Sequence, residues 1–259
     1  MWALYPDEES DFPKFHLWEQ LGWQGVRAVM DALKQVKYSH TKSIRLWKTM
    51  CEDEGVRALC EYVNIAPNVL LIELLDNSIT KLGCEFISRI LSPKSASNVM
   101  YLKLDHNSFG SEGVANLAKG LCQNSTLQNL SMTYCNIDEA GARPLFEIVI
   151  YQKSALEELN LSGNHLRDSG TIELLKGVSV SKSLKKLIIS DNQFFETDEV
   201  LDAIEKCFKR NKTLGNYDFK HNFISDDGVL RIADILEVAS HVGKVEISER
   251  ISKETLEIF

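Results

Sequence analysis

The sequence predicts an α/β solenoid: an open horseshoe arc of about seven stacked units, with parallel strands on the concave face and helices on the convex face. Three observations predict it. A pattern Leu-x-x-Leu-x-Leu-x-x-Asn-x-Leu recurs along the chain. A glycine follows its last apolar residue by four positions in most copies. The spacing between copies is nearly constant. Taking Leu46, Leu74, Leu104, Met132, Leu161, Ile189, Phe219 and Ile247 as register points, the steps are 28, 30, 28, 29, 28, 30 and 28 residues. Internal repetition at that period is the mark of a stacked architecture.

The third unit carries the pattern well, as Val99, Leu102, Leu104, Asn107, Phe109 and Gly113, and the fifth as Leu156, Leu159, Leu161, Asn164, Leu166 and Gly170. Three units depart from it. Thr49 stands for the asparagine in the first and Cys135 in the fourth, and Asp198 replaces the glycine in the sixth, whose helix is expected to start later.

Each position has a physical reason. Leu-x-Leu is period-two alternation, which makes a short strand with one buried face. The asparagine follows, where its amide can satisfy the backbone of a buried turn. The glycine opens the helix, where a side chain would hold helix and strand apart. Two residues before it stand Asp53, Lys81, Ser111, Glu139, Asp168, Glu196 and Asp226 as expected helix starts. Five of these are acidic, which suits the positive end of a helix dipole. The helices then show apolar residues three and four apart, such as Val114, Leu117, Ala118 and Leu121. One unit cannot bury its apolar face alone, but stacked units share a core. Strands pack about 4.8 Å apart and helices about 10 Å, so the stack bends with its strands inside.

This pattern, with its 28–30 step and helix-opening glycine, resembles the ribonuclease-inhibitor-like class of leucine-rich-repeat proteins, over about residues 42 to 250. The chain also resembles other members of that class: Ran GTPase-activating proteins, the tropomodulin C-terminal domain, NOD-like receptor sensors and ciliary proteins. The motif residues are all structural, so the resemblance implies a fold and leaves the function to be argued from the surface.

A single domain over 1–259 is expected: an acidic N-terminal segment and helical cap over 1–42, seven repeats over 43–241 and a C-terminal cap over 242–259. Leu17, Leu21, Gly25, Val29, Met30 and Leu33 read as a cap helix without a good strand, with Trp18 and Trp23 placed to cover the first repeat. Asp7, Glu8, Glu9 and Asp11 form an acidic arm ahead of it, read first as a solvated tail and second as an arm for a basic partner. A strand near Val245 and a short helix over 253–259 are expected to close the other end.

No stretch of apolar residues is long enough to span a membrane, and the first residues lack the basic and apolar regions of a secretory signal. The net charge of −8 weighs against a nucleic-acid partner. Six cysteines without a Cys-x-x-Cys pair read as reduced core thiols and point to the cytoplasm. No phosphate loop or Gly-x-Ser-x-Gly elbow occurs, and the six histidines are scattered, so no catalytic residue, cofactor or metal site is expected.

What remains is a surface for a protein partner. In a solenoid it usually lies on the concave strand face. The positions between and after the two strand leucines supply Arg45, Trp47, Leu75, Lys103, His106 and Tyr134 as candidate partner-binding residues. Aromatic and apolar side chains flanked by charge are what interaction hot spots look like. The expected function is a non-enzymatic interaction scaffold. The resemblance implies two alternatives: a structural component of a cytoskeletal or axonemal and ciliary assembly, and a GTPase activator of the Ran type.

Overall fold

The computed structural model describes residues 14–17, 19–247, 252 and 255. Among the described residues nine strands form one sheet in chain order, every neighbouring pair parallel. They are β1 Lys14–Leu17, β2 Ser43–Trp47, β3 Leu71–Leu75, β4 Tyr101–Lys103, β5 Asn129–Ser131, β6 Glu158–Asn160, β7 Lys186–Ile188, β8 Asn216–Asp218 and β9 Lys244–Glu246. Between them run α1 Gly22–Gln35, α2 Glu52–Val63, α3 Lys81–Leu91, α4 Gly110–Leu121, α5 Ala142–Val149, α6 Arg167–Val178, α7 Asp198–Arg210 and α8 Asp226–Glu237. Helices contact their sequence neighbours, as do strands, so each unit stacks on the next. The result is the predicted solenoid, with strands lining the concave side of the arc.

The strand register aligns equivalent leucines: Leu46 pairs with Leu74, Leu102 with Leu130, and Leu130 with Leu159. These side chains are fully buried and join one apolar core that runs from Val26 to Ala239. Each such burial is worth about 1.5–3 kcal/mol.

The asparagines form a ladder through the interior. Asn107 donates from Nδ2 to the carbonyls of Leu74 and Leu104, and its Oδ1 accepts from the backbone N–H of Asn77 and Ile79. Asn77 does the same one unit earlier, donating to Leu46 O and accepting from the backbone N–H and hydroxyl of Thr49. Thr49 therefore ends the ladder as a donor. Asn164 accepts from Cys135 N and Ile137 N. Cys135 breaks the sequence: its thiol donates to Leu104 O and Thr133 O, but it offers no amide oxygen to the unit before it.

The residues expected as helix starts do a second job. Asp53 accepts from Thr80 N, Thr80 Oγ1 and Gly83 N, all in the following unit. Ser111 bonds Asp138, Asp168 accepts from Phe195 N, and Glu196 accepts from the amide and hydroxyl of Ser225. The acidic preference thus staples successive units as well as answering the helix dipole. The glycines are needed against those staples. A Cβ on Gly83 would stand 2.6 Å from Asp53 Oδ1 and 2.6 Å from Ile79 Cγ2. The tightest glycine lies deeper: a Cβ on Gly120 would stand 2.1 Å from the Ser88 carbonyl oxygen, where α4 packs on α3.

Three expectations are corrected. The N-terminal cap has a strand: β1 pairs with β2 over four residues, with Leu17 beside Leu46. Glu196 precedes its helix, which starts at Asp198 behind a Thr197 cap. The later start expected for that unit is present. The fourth unit opens with a 3-10 turn, Glu139–Gly141, before α5 begins. Trp23 is half-buried on α1. Trp18, the acidic arm and most of the expected C-terminal helix lie outside the described residues.

Candidate protein-binding face

One backbone feature sets the concave face. Two residues after each register point the chain turns left-handed, at Lys48, Asp76, His106, Tyr134, Gly163, Asp191 and His221, with φ between 51° and 69°. Only one of the seven is glycine, although a left-handed residue costs other side chains about 1 kcal/mol or more. The turn recurs in every unit, before Thr49 and Cys135 as before the asparagines, which makes it a property of the fold. Its effect is to hold the side chains of His106 and Tyr134 at the rim of the strand face.

Those two rings stack, with centroids 5.0 Å apart and planes 9° apart. Tyr134 also lies over Gly163, where a Cβ would meet the ring at 2.2 Å. It remains 50% exposed, as a ring held between these two neighbours. Beside it Tyr134, His165, Asp191 and Gln193 line a hollow of about 220 Å³, in which Gln193 Nε2 meets His165 Nδ1 at 2.9 Å.

Toward the N-terminus, Trp47 is 48% exposed at the end of β2, and register places Leu75 beside it. Arg45 and Lys103 converge on Glu73 from both sides, at 3.2 and 3.1 Å, and Lys48 pairs with Asp76 at 3.3 Å. The sheet thus brings all six expected binding residues onto one continuous face over β2 to β5. It does not leave their cations unpaired.

Further along, the face changes. Asp105 accepts from the hydroxyl of Ser131 and the amide of Thr133. Ser190 bonds Ser162, whose hydroxyl bonds Asn160. Ser131 and Ile188, in the strand position that Arg45 and Lys103 hold, and Ser190, in that of Trp47, are buried. At the far end Lys220 and Lys244 hold Glu246, and these two ammonium groups keep its carboxyl down at about 2.

The helical side has larger hollows: one of about 360 Å³ between α2 and α3, and one of about 520 Å³ between α6 and α7 lined by Ile172, Lys176, Lys206 and Arg210. Sequence reasoning missed both, because they form between helices of different units. It also missed Phe195 and Phe223, two half-exposed rings stacked 4.6 Å apart.

The six cysteines are free thiols, five of them buried. Burial pushes Cys51, Cys135 and Cys207 up to about 12, so these thiols stay protonated at neutral pH. Among the described residues no group of three or more His, Cys, Asp or Glu side chains is placed to hold a metal ion. No helix among them is long and apolar enough to cross a membrane.

Known proteins agree with this architecture. The profile of the family described as Leucine Rich repeat matches residues 123–146 and 153–175. Mouse ribonuclease inhibitor is 32% identical over 170 residues, covering 64% of this chain and 36% of its own length. Pig ribonuclease inhibitor is 29% identical over 188 residues, covering 71% of this chain and 40% of its own. The human NACHT, LRR and PYD domains-containing protein 13 is 32% identical over 170 residues, covering 65% of this chain and 16% of its own. This chain therefore spans two fifths or less of the curated relatives it matches. Among solved structures, the tropomodulin C-terminal domain of Caenorhabditis elegans superposes with a TM-score of 0.50 at 19% identity, over 61% of this chain and 93% of that one. Repeat, register and relatives converge: the chain is a leucine-rich-repeat solenoid, similar in sequence to the ribonuclease inhibitors.

Proposed function

We propose that this protein is a non-enzymatic interaction scaffold that holds a protein partner on its concave face, through Arg45, Trp47, Leu75, Lys103, His106 and Tyr134. The observation that carries the reading is the placement of exposed aromatic side chains on a rigid parallel sheet: Trp47 at one end, and at the other Tyr134 fixed between His106 and Gly163. Such rings present large contact area at little entropic cost, and hot spots form where rigid aromatics sit among charges. The partner's nature follows from the charges. Arg45, Lys103 and Lys48 are already held by carboxylates, and the chain carries −8 overall, which favours a protein over a phosphate backbone. The buried free thiols support a reducing compartment, the cytoplasm. The two ribonuclease inhibitors among the relatives are, by their names, proteins that act on another protein, in keeping with this reading.

The test is capture of partners from the protein's own cells with the tagged chain and with a variant in which all six residues are alanine. Matched far-ultraviolet dichroism and melting would establish that the variant is folded. The reading expects recovery of the principal partner to fall by about tenfold or more. Undiminished recovery by a well-folded variant would place binding elsewhere.

A further inference from the structure

The loop edge between strands and helices carries one feature that the repeat does not require. Phe195 and Phe223 are stacked with planes 17° apart and centroids 4.6 Å apart, and both stay just over half exposed. A parallel backbone bridge joins them, and Phe223 N donates to Phe194 O at 2.9 Å, so the rings sit on fixed backbone. The buried rings of Phe194 and Phe219 already fill the core of these units.

Elsewhere these positions are polar or glycine, apart from Met50 in the first unit. Residues one after the asparagine slot are Met50, Ser78, Ser108, Asn136, His165 and Gln193 before Phe223. Residues three after it are Thr80, Gly110, Asp138 and Arg167 before Phe195, then Ser225. The solenoid closes its edge without aromatics in every other unit, so the pair is an addition to the frame.

The chain that follows each ring is acidic. From Phe195 the chain runs through Glu196, Asp198 and Glu199, and from Phe223 through Asp226 and Asp227. Acidic residues at helix starts have a structural reason of their own. Asp198 is paired with Arg231 at 2.6 Å, Glu196 is held by Ser225, and Asp226 accepts from Ser252 N. Glu199 and Asp227 remain exposed; the cations nearby are Arg231 on Asp198, Arg167 on Glu139 in the preceding unit, and Lys176 and Lys206, which share the α6–α7 hollow with Glu199. Two half-exposed rings, each followed by acidic residues, suit one kind of ligand.

We propose that this edge is a second docking surface, separate from the concave face, for a protein segment that presents a leucine or aromatic side chain flanked by lysine or arginine. The apolar side chain lies across the two rings, and its basic flanks reach Glu199 and Asp227.

The test uses phage-displayed random dodecapeptides selected on the full chain and counter-selected on F195S/F223S. The selected peptides are expected to combine a leucine or aromatic residue with lysine or arginine. In fluorescence anisotropy the best of them should lose about tenfold in affinity for F195S/F223S. The same loss is expected for E199K/D227K, which alters no packing and so covers the case in which the phenylalanine variant does not fold. W47A/Y134A should bind it as the parent does, whatever becomes of the concave-face reading. Acidic peptides, no enrichment, or affinity untouched by either edge variant would overturn the proposal. So would a dimer in sedimentation that F195S/F223S dissolves, which makes a second copy the occupant. Deletion of residues 248–259 that strengthens peptide binding about tenfold would name the chain's own end as the occupant, and would overturn it equally.

Discussion

The concave face over β2 to β5 and the same face over β6 to β8 share one backbone and differ in what they display. Both have the left-handed residue after the strand, at His106 and Tyr134 in one half and at Asp191 and His221 in the other. Both rest on the asparagine ladder, through Asn77 and Asn107 and through Asn164, Asn192 and Asn222. Yet the first half shows Trp47, the Arg45–Glu73–Lys103 cluster and the His106–Tyr134 stack, whereas the second shows a short Asn160–Ser162–Ser190 chain that satisfies itself. The frame is therefore indifferent to the display. Stability belongs to the buried slots, and binding belongs to side chains that the frame holds but does not use.

The largest predicted effect breaks the frame shared by both halves. Asn107→Ala strands the carbonyl of Leu74 and the amides of Asn77 and Ile79 in the core, and leaves the Leu104 carbonyl only the Cys135 thiol. It should cost about 3 kcal/mol or more, seen as a lower midpoint in urea unfolding. Next comes the display. Trp47→Ala and Tyr134→Ala should each cost about 2 kcal/mol of partner affinity with little loss of melting temperature, measured by titration calorimetry. Ser162→Ala should change affinity by no more than about 0.5 kcal/mol. An equal loss from Ser162→Ala would dissolve the distinction between the halves.

Two smaller effects sharpen it. Cys135→Asn would give the Asn107 amide the oxygen that the thiol withholds, and should raise stability by about 1 kcal/mol in the same unfolding experiment. At the far end, Glu246 is held at about 2, below its ordinary 4.5, by Lys220 and Lys244. A carboxyl depressed on folding stabilises above its unfolded value and loses that contribution as pH falls through the folded one. Glu246→Gln should thus cost about 1 kcal/mol at pH 7, after allowance for solvent screening, and nothing near pH 2. Thermal melts of both chains across that range would check it.

Much of this was legible in the sequence because core positions recur. Leu46, Leu74, Leu104, Met132, Leu161, Ile189 and Phe219 are all fully buried, as the register requires. The strand β1 was not legible, because Lys14-Phe15-His16-Leu17 lacks the following asparagine, although Leu17 stands 29 residues before Leu46 and so obeys the step. The six candidate binding residues share one face, but the ion pairs that occupy Arg45 and Lys103 depend on Glu73 in the strand between them, which a reading unit by unit does not weigh. The same limit hid the staples from Asp53 to Thr80 and from Glu196 to Ser225. The Phe195–Phe223 stack joins different slots of two units, offset by a 30-residue step, so alignment on the motif separates its members.

The central claim is that a protein partner occupies the first half of the concave face. Cross-linking mass spectrometry of the tagged chain in its own cells tests it most directly. The account predicts cross-links from Lys48 and Lys103 to one partner. Cross-links confined to Lys119, Lys176 and Lys206, all exposed on α4, α6 and α7, would mean that the helical side docks and would contradict it.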